Sequence, residues 1–473
     1  MPHIKRIANL LVVTLAAAFI GCAVGPKYAR PTIEQPRRFK SPAPDGGPAL
    51  VKDWWRLYRD PKLDELIATA NASNQTIRQA VARVDEARAL ARVAASFRFP
   101  TIALNPTVSR QRFSGNRASA VTSAPVQSGA TISDWTVPVD LTYEVDVFGR
   151  VRRSVQAADA QAAASVDDEA VVRLAVQTDV AQFYYTLRLL DAQLEILTRT
   201  IGSYEEQVRL LGVQVRTGLT SPIVLNQAEA QLQSTRAQQQ DLERARADEE
   251  HALAILCGQS APSFSVQANP LRAEAPPAVA PGLPAAVLSR RPDVAVAEQN
   301  VVAANALVGV ATADLYPRFT LTGAAGFESS AIQSLFDWQS RLASIAQGLT
   351  APIFQGGRLK ANLRAVRAHY DQTVAAYVNQ VLIAYGDVED ALTDLHALSS
   401  QVGTLGDAVR ASENYRRLAD VQYRNGLVDY LTVIDAERTL LGNQLALVQA
   451  SSFQMSASIH LVKALGGGWQ EPP

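Results

Sequence analysis

Methionine, cysteine and histidine are scarce in this chain of 473 residues: it holds two, two and five of them. The histidines, His3, His251, His369, His396 and His460, share no metal-ligand spacing and lie near no serine or cysteine nucleophile signature. No phosphate-binding loop and no dinucleotide glycine fingerprint occurs, and Gly466-Gly467-Gly468 reads as a helix stop. Acid pairs such as Asp167-Asp168 and Glu249-Glu250 read as solvated helix faces. The expectation is therefore a non-enzyme with no cofactor and no metal. Net charge is lacking too, +0 from 45 basic and 45 acidic residues, and no dense basic run occurs, which argues against nucleic acid as a partner. Beyond the N-terminal stretch, no window shows the roughly 18 apolar residues of a membrane helix. A chain that crosses a membrane without such a run must do so by strands. Proline is missing from two long intervals, between Pro138 and Pro222 and between Pro352 and Pro472. Long helices fit there.

What the chain does have is a repeat. Val213-Gln214-Val215-Arg216-Thr217-Gly218-Leu219 recurs as Val421-Gln422-Tyr423-Arg424-Asn425-Gly426-Leu427, an offset of 426 − 218 = 208. The same offset joins Gly149-Arg150 to Gly357-Arg358, Ala228-Glu229 to Ala436-Glu437, and Gly258 to Gly466. A gapless repeat of this length means two copies of one unit whose helix phase is fixed by geometry.

The N-terminus carries Lys5 and Arg6, then a mostly apolar stretch from Ile7 to Ile20, and ends at Phe19-Ile20-Gly21-Cys22. This is a secretion signal, too short for an ordinary span. The small residue before Cys22 resembles a bacterial lipobox, which makes Cys22 the acylated first residue of the mature chain. The alternative is a plain signal peptide with an incidental cysteine. Cys257 then stands alone, so no intrachain disulfide forms, and it reads as a small core residue.

The rest divides as follows: residues 1–21 signal, 22–60 a lipidated arm, 61–261 a first repeat, 262–282 a proline-rich linker, 283–466 a second repeat, 467–473 a tail. Leu63, Leu66, Ile67, Ala70, Ile77, Val81 and Val84 keep a helical period that continues to about residue 97. Past Phe99-Pro100 the period becomes two. Val137, Val139, Leu141, Tyr143 and Val145 alternate with Asp140, Thr142, Glu144 and Asp146, a strand with one apolar and one polar face. Gly149-Arg150 opens a helix reaching about Arg216, and at 1.5 Å per residue about 66 residues span roughly 100 Å. Around Gly218 the chain turns into a return helix. The second copy repeats this order, so four strands are expected. Four amphipathic strands cannot close a barrel, whereas three chains would supply twelve. A soluble coiled-coil scaffold is the competing reading, and it explains neither the signal nor the strands.

The chain resembles the TolC-like outer-membrane factors, in the OprM/NodT lipoprotein branch of drug-efflux channels. The resemblance is carried by Cys22-Ala23-Val24-Gly25-Pro26-Lys27-Tyr28, Asp53-Trp54-Trp55, Glu144-Val145-Asp146-Val147-Phe148-Gly149-Arg150, Ser289-Arg290-Arg291-Pro292-Asp293, Pro352-Ile353-Phe354-Gln355-Gly356-Gly357-Arg358 and the block Tyr423 to Arg438. It implies a mostly helical chain with a membrane β-barrel, assembled as a homotrimer with twelve strands in the outer membrane and a long periplasmic α-barrel. It implies a periplasmic adaptor and an inner-membrane RND transporter as partners, and passive conduction of drugs or other small molecules. A type I protein-secretion channel shares the architecture and is the second function considered; a non-conducting envelope scaffold is the third. With only Met1 and Met455, soft thioether ligands for copper or silver export are nearly missing.

By the same resemblance, Tyr423, Leu431, Asp435 and Arg438 form the periplasmic aperture, Leu431 as an apolar constriction and the others through polar contacts. Arg216, Gly218, Leu219, Arg424, Gly426 and Leu427 form the helix-turn-helix tips that meet the adaptor. The copies differ at the aperture: Tyr423 answers to Val215, Asp435 to Gln227 and Arg438 to Ala230. Asp435 and Arg438, three apart, share a helix face and have the spacing to pair with each other or with neighbours. Where the family often carries an acid, the chain has Val428, with Asp429 adjacent.

Overall fold

The computed structural model describes residues 23–42, 50–114, 116, 129–272 and 275–470. The signal segment and Cys22 lie outside the described residues. Helices dominate: α1 (Pro61–Ser73), α2 (Gln75–Ser96), α3 (Arg150–Arg216), α4 (Pro222–Leu256), α5 (Pro284–Leu288), α6 (Pro292–Ala313), α7 (Arg358–Arg424) and α8 (Tyr430–Ala464). The strands are β1 (Thr101–Leu104), β2 (Thr107–Arg112), β3 (Thr131–Val145), β4 (Arg318–Ser329) and β5 (Arg341–Thr350). α3 and α7 have 67 residues each, α4 and α8 have 35 each, and every boundary of the second set lies 208 residues after the first.

The chain packs as two compact units that cut across the sequence order. One gathers the segment up to Pro31 with Asp85–Ala164 and Glu298–Ala376; the other gathers Thr32–Val84, Ser165–Ala297 and Tyr377–Pro473.

The first unit holds an antiparallel sheet in the order β1-β3-β4-β5, with β2 also on β3. Among the described residues five strands thus replace the expected four, because the first is interrupted at Asn105-Pro106. The register does not slip there: Leu104 faces Val139 and Thr107 faces Thr136, three residues on in each chain direction. The Asn105 amide still donates to the Pro138 carbonyl at 3.2 Å, and Pro106 has no N–H to continue the ladder. Cross-strand partners share a face. Ile102, Leu141, Gly323 and Ile345 lie on one side, as do Leu104, Val139, Ala325 and Ala343. Much of that face is open, with Ile345 80% exposed and Ile102 66%. A contiguous exposed apolar face of this kind marks a surface that meets another protein or a lipid. Asp140, Thr142, Thr322 and Ser344 occupy the other face.

Two of the acids assigned to that polar face are taken up where strand becomes helix. Glu144 receives both arms of Arg150, at 2.8 and 2.6 Å. Asp146 accepts from the amides of Val151 and Arg152, at 3.1 and 2.9 Å, and so caps the start of α3. The arm is tied to the same place. The Val24 amide donates to the Phe148 carbonyl at 3.0 Å, and Ala23 lies so close to Gly149 that a Cβ there would come within 2.8 Å of it. Further along, Glu298 accepts from the Tyr28 hydroxyl at 3.0 Å and Arg30 at 2.5 Å.

α6 corrects an expectation. It has 22 residues, and an 18-residue stretch of it reaches a mean hydropathy of 1.4, by length and composition enough for a membrane span. Asp293, Glu298 and Asn300 punctuate it, so no unbroken apolar run announces it. Val301, Ala304 and Val308 are buried.

The second unit has its core around Trp54, Leu63, Ile67, Tyr184, Leu187, Leu253, Ile459 and Val462. Asp60 caps α1 through the Lys62 amide at 3.0 Å and also takes Tyr184 and Arg188, each at 2.9 Å. The single helix expected over 61–97 is broken at Asn74. Its side-chain oxygen accepts from the amides of Thr76 and Ile77, at 2.8 and 3.0 Å, which starts α2 afresh. Its amide donates to the Leu256 carbonyl at 2.8 Å.

Beside this break, Gly258 sits on the Ser73 carbonyl, so close that a Cβ would meet the oxygen at 2.3 Å. Gly466 sits in the same way on the Arg290 carbonyl, at 1.8 Å, with φ +84°. No other residue fits there. Gly466→Ala is expected to destabilise the chain by roughly 2–4 kcal/mol through clash and left-handed strain. A thermal unfolding midpoint equal to that of the parent would refute this.

Candidate functional site

The two long hairpins turn by the same device. At the first tip the Leu219 amide reaches back to the Gln214 carbonyl at 2.8 Å and the Gly218 amide to Val215 at 3.1 Å. At the second, Leu427 reaches Gln422 and Gly426 reaches Tyr423, both at 2.9 Å. Both glycines are left-handed, φ +72° and +71°, the geometry of a Schellman stop. Leu219 and Leu427 point into solvent, 78% and 73% exposed. Arg216 ends α3. Arg424 ends α7 and pairs with Asp420 at 3.0 Å along the helix. The expected tip residues therefore cluster at the two turns, each turn with an exposed leucine beside a basic helix end.

The return helices start differently. Ser221 caps α4, and Pro222 opens it. Asp429 caps α8, accepting from the Thr432 amide at 3.0 Å and its hydroxyl at 2.8 Å. These bonds hold the Asp429 carboxyl below the ordinary aspartate range, hydroxyl first. The acid next to Val428 is thus occupied as a helix cap.

The expected aperture residues lie on the second hairpin, and the three polar ones each find a neutral partner. The Tyr423 hydroxyl donates to the Gln214 side-chain oxygen at 3.4 Å, and its ring packs on Tyr430 with centroids 5.5 Å apart. Asp435 accepts from the Tyr415 hydroxyl at 3.1 Å. Arg438 donates to the Gln231 oxygen at 2.6 Å, linking α8 to α4. Asp435 and Arg438 have the spacing for a pair, and neither takes the other. Leu431 is 53% exposed.

Beneath them lies a buried polar chain that the sequence reading missed. Tyr430 donates to the Gln207 oxygen at 2.6 Å, and the Gln207 amide donates to Glu437 Oε1 at 2.7 Å. Arg416 Nε approaches the same oxygen at 3.5 Å. Glu437 is only 6% exposed, and its Oε2 has no hydrogen-bond partner. Burial pushes the carboxyl above the ordinary glutamate range, against the pull of Arg416 and Gln207. The signal was there: Tyr430, Val433, Ile434, Glu437 and Leu441 follow helical spacing, and all five are buried, so Glu437 stands inside an apolar stripe. Around it, Leu211, Ala228, Ala419, Val433 and Ala436 form the apolar core below the tips.

Among the described residues no group of three or more His, Cys, Asp or Glu side chains is placed to hold a metal. The arrangement holds helices together through side-chain hydrogen bonds.

The chain matches a family model described as outer membrane efflux protein, over residues 66–259 and 283–467. It is 32% identical to the toluene efflux pump outer membrane protein TtgF of Pseudomonas putida, covering 98% of this chain and 97% of that one. It is 31% identical to the outer membrane protein OprJ of Pseudomonas aeruginosa, over 98% and 96% of the two chains. Among solved structures, the outer-membrane channel OprN superposes with a TM-score of 0.88 at 28% identity, over 95% of this chain and all of that one.

Because Asp435 and Arg438 bond to Tyr415 and Gln231 and not to each other, alanine at both positions should cost the sum of the single losses. A double-mutant cycle by denaturant unfolding should give a coupling below about 0.5 kcal/mol. A coupling well above that would mean the pair does form.

Proposed function

The chain belongs to the outer membrane efflux protein family, and we propose that it is the exit duct of a three-part pump that carries small organic molecules out of the cell. It is an outer-membrane component, like the relatives named for toluene, solvent and antibiotic efflux. The observation that carries the reading is the sheet: four staves, apolar on one face, polar on the other, joined through Glu144–Arg150 and the Asp146 cap to a 67-residue helix.

Such a sheet has two open edges, β1–β2 and β5. Lipid tolerates no unpaired edge, so three copies closing a twelve-stranded barrel satisfy every edge. The equal helix lengths and the 208-residue spacing support two tandem copies of one unit, each contributing one hairpin to a helical tube. Cys22 carries the lipid. The support is the seating of Ala23 and Val24 against Gly149 and Phe148, which holds the start of the mature chain beside the strand–helix junction. The exposed tips around Leu219 and Leu427 meet a periplasmic adaptor, which couples the duct to an inner-membrane RND transporter.

At rest the aperture is held by Tyr423, Asp435 and Arg438 with their neutral partners, and Leu431 narrows it. Exposed contacts of this kind stabilise by only about 0–1 kcal/mol each. Threefold repetition makes a modest barrier that adaptor contact can overcome.

Single-channel recording in a planar bilayer tests this. The parent should pass small currents, and changing both Asp435 and Arg438 to Ala should raise them several-fold. Equal currents from both proteins would discard this gate and keep the duct; silence from both would discard the duct. For the anchor, intact-mass measurement of the membrane-extracted protein should show acyl chains that Cys22→Ser removes. An unmodified Cys22 would end that assignment.

A further inference from the structure

We propose that Glu437 is an acid-operated latch between the two long hairpins, holding them packed when protonated and loosening them when ionised. It rests on the duct reading only in equating loosened hairpins with an opened channel.

The geometry comes first. Glu437 leaves α8 and faces both α3 and α7. From α3 it meets the Gln207 amide at 2.7 Å. The Tyr204 hydroxyl, also on α3, is buried beside it and feels its charge, with Gln231 and Arg438 on its other side. From α7 it meets Arg416, whose Nε stands 3.5 Å away, and it is repelled by the like charge of Asp420. On its own helix, Tyr430 is committed to Gln207, and Arg438 is committed to Gln231 of α4. Besides the Gln207 amide, the carboxylate has one long contact to a cation, Arg416, while Arg199 of α3 lines the same cavity without an ion pair to it. Its second oxygen, Oε2, meets neither a donor nor solvent.

A carboxylate so placed is costly, because neither water nor a close ion pair replaces its hydration. The neutral acid avoids that cost. Its Oε1 still accepts from Gln207, and the chain from Tyr430 through Gln207 to Glu437 survives protonation. The packed arrangement therefore favours the proton-bound form, in line with the upward shift caused by burial. When the hairpins part and water reaches Glu437, that preference is lost. The state with the higher proton affinity gains on acidification. Falling pH thus tightens the packed state. As pH rises above the ordinary glutamate range and through the raised value, the stabilisation is lost and separation is favoured.

The device belongs to the second hairpin alone. Glu229, its counterpart 208 residues earlier in the same Ala-Glu pair, lies exposed on α4. It therefore serves as an internal control.

The experiment uses the full protein with Glu437→Gln, which fixes the neutral form at nearly equal shape, and Glu229→Gln. Thermal unfolding and single-channel current are measured from about pH 8 to about pH 5. Glu437→Gln should raise the unfolding midpoint above the parent at pH 8, with the difference shrinking towards pH 5. Parent current should fall with acidification, while Glu437→Gln stays low throughout and Glu229→Gln follows the parent. A Glu437→Gln midpoint below the parent at pH 8 would overturn the proposal, since an ion-pair tie to Arg416 would then be the dominant effect. So would a difference that does not change with pH, or a Glu437→Gln chain that fails to fold. The expected unfolding shift without any current would leave the latch standing and remove the duct.

Discussion

Two carbonyl groups set the dimensions of this chain. Gly258 and Gly466, each just beyond the end of a 35-residue return helix, lie against the carbonyls of Ser73 and Arg290 at distances that admit no side chain. Each carbonyl belongs to the residue just ahead of the break that precedes a 22-residue helix, α2 or α6. The contact therefore pins the end of each long hairpin to the start of its own half. Once pinned, the hairpin has no freedom in length. One inserted residue would turn every later side chain by about 100° about the helix axis and rotate the buried stripe out of register. That is why the two copies keep a constant spacing of 208 residues through α3, α4, α7 and α8. Between α2 and α6 the spacing is 217, so the nine extra residues of the first half fall among its strands and their loop. A loop tolerates them at little cost.

The readability of the sequence follows from the same physics. Features set by local backbone geometry were plain: the left-handed glycines at 218 and 426, the period of two from Val137 to Val145, and the proline-free intervals that became 67-residue helices. Features set by one side chain reaching the backbone were not. Asn74 breaks a helix whose apolar period runs straight through the break, because a cap leaves no mark on that period. Pro106 interrupts a strand whose register continues, because only one N–H is missing. The site was legible in part. The tips follow from turn chemistry, whereas the partners of Tyr423, Asp435 and Arg438 depend on which helix lies opposite. Spacing offered Asp435 an arginine three residues on; packing gave it Tyr415 on α7. Glu437 was visible only as an acid in an apolar stripe, a pattern that becomes meaningful once the stripe is known to be buried.

The contacts around the expected aperture combine a charge with a neutral group or two neutral groups: Arg438 with Gln231, Asp435 with Tyr415, Tyr423 with Gln214. An element that must open and reclose is well served by this chemistry. Breaking a buried ion pair strands two charges at a cost of about 3–5 kcal/mol. Parting an exposed arginine from a glutamine amide leaves both groups free to take water, so the net loss is nearer 1 kcal/mol. In the trimer proposed above, three copies of a few such bonds would give a closed state that persists alone and yields to a partner of ordinary affinity.

The duplication sharpens this point. Two hairpins with the same lengths, the same glycine turns and the same Ala-Glu pair have different polar interiors. At Glu229 the carboxylate stays in water, and the first hairpin has no reason to respond to its charge. At Glu437 the same residue is enclosed because its neighbours have diverged. Gln207 of the first copy stands where the second has Tyr415, and Tyr430 of the second stands where the first has Pro222. The glutamine turns its amide towards Glu437 because Tyr430 occupies its oxygen. A shared backbone thus acquired one inert hairpin and one whose packing carries a titratable group, and the difference rests on side chains that leave helix length and phase untouched.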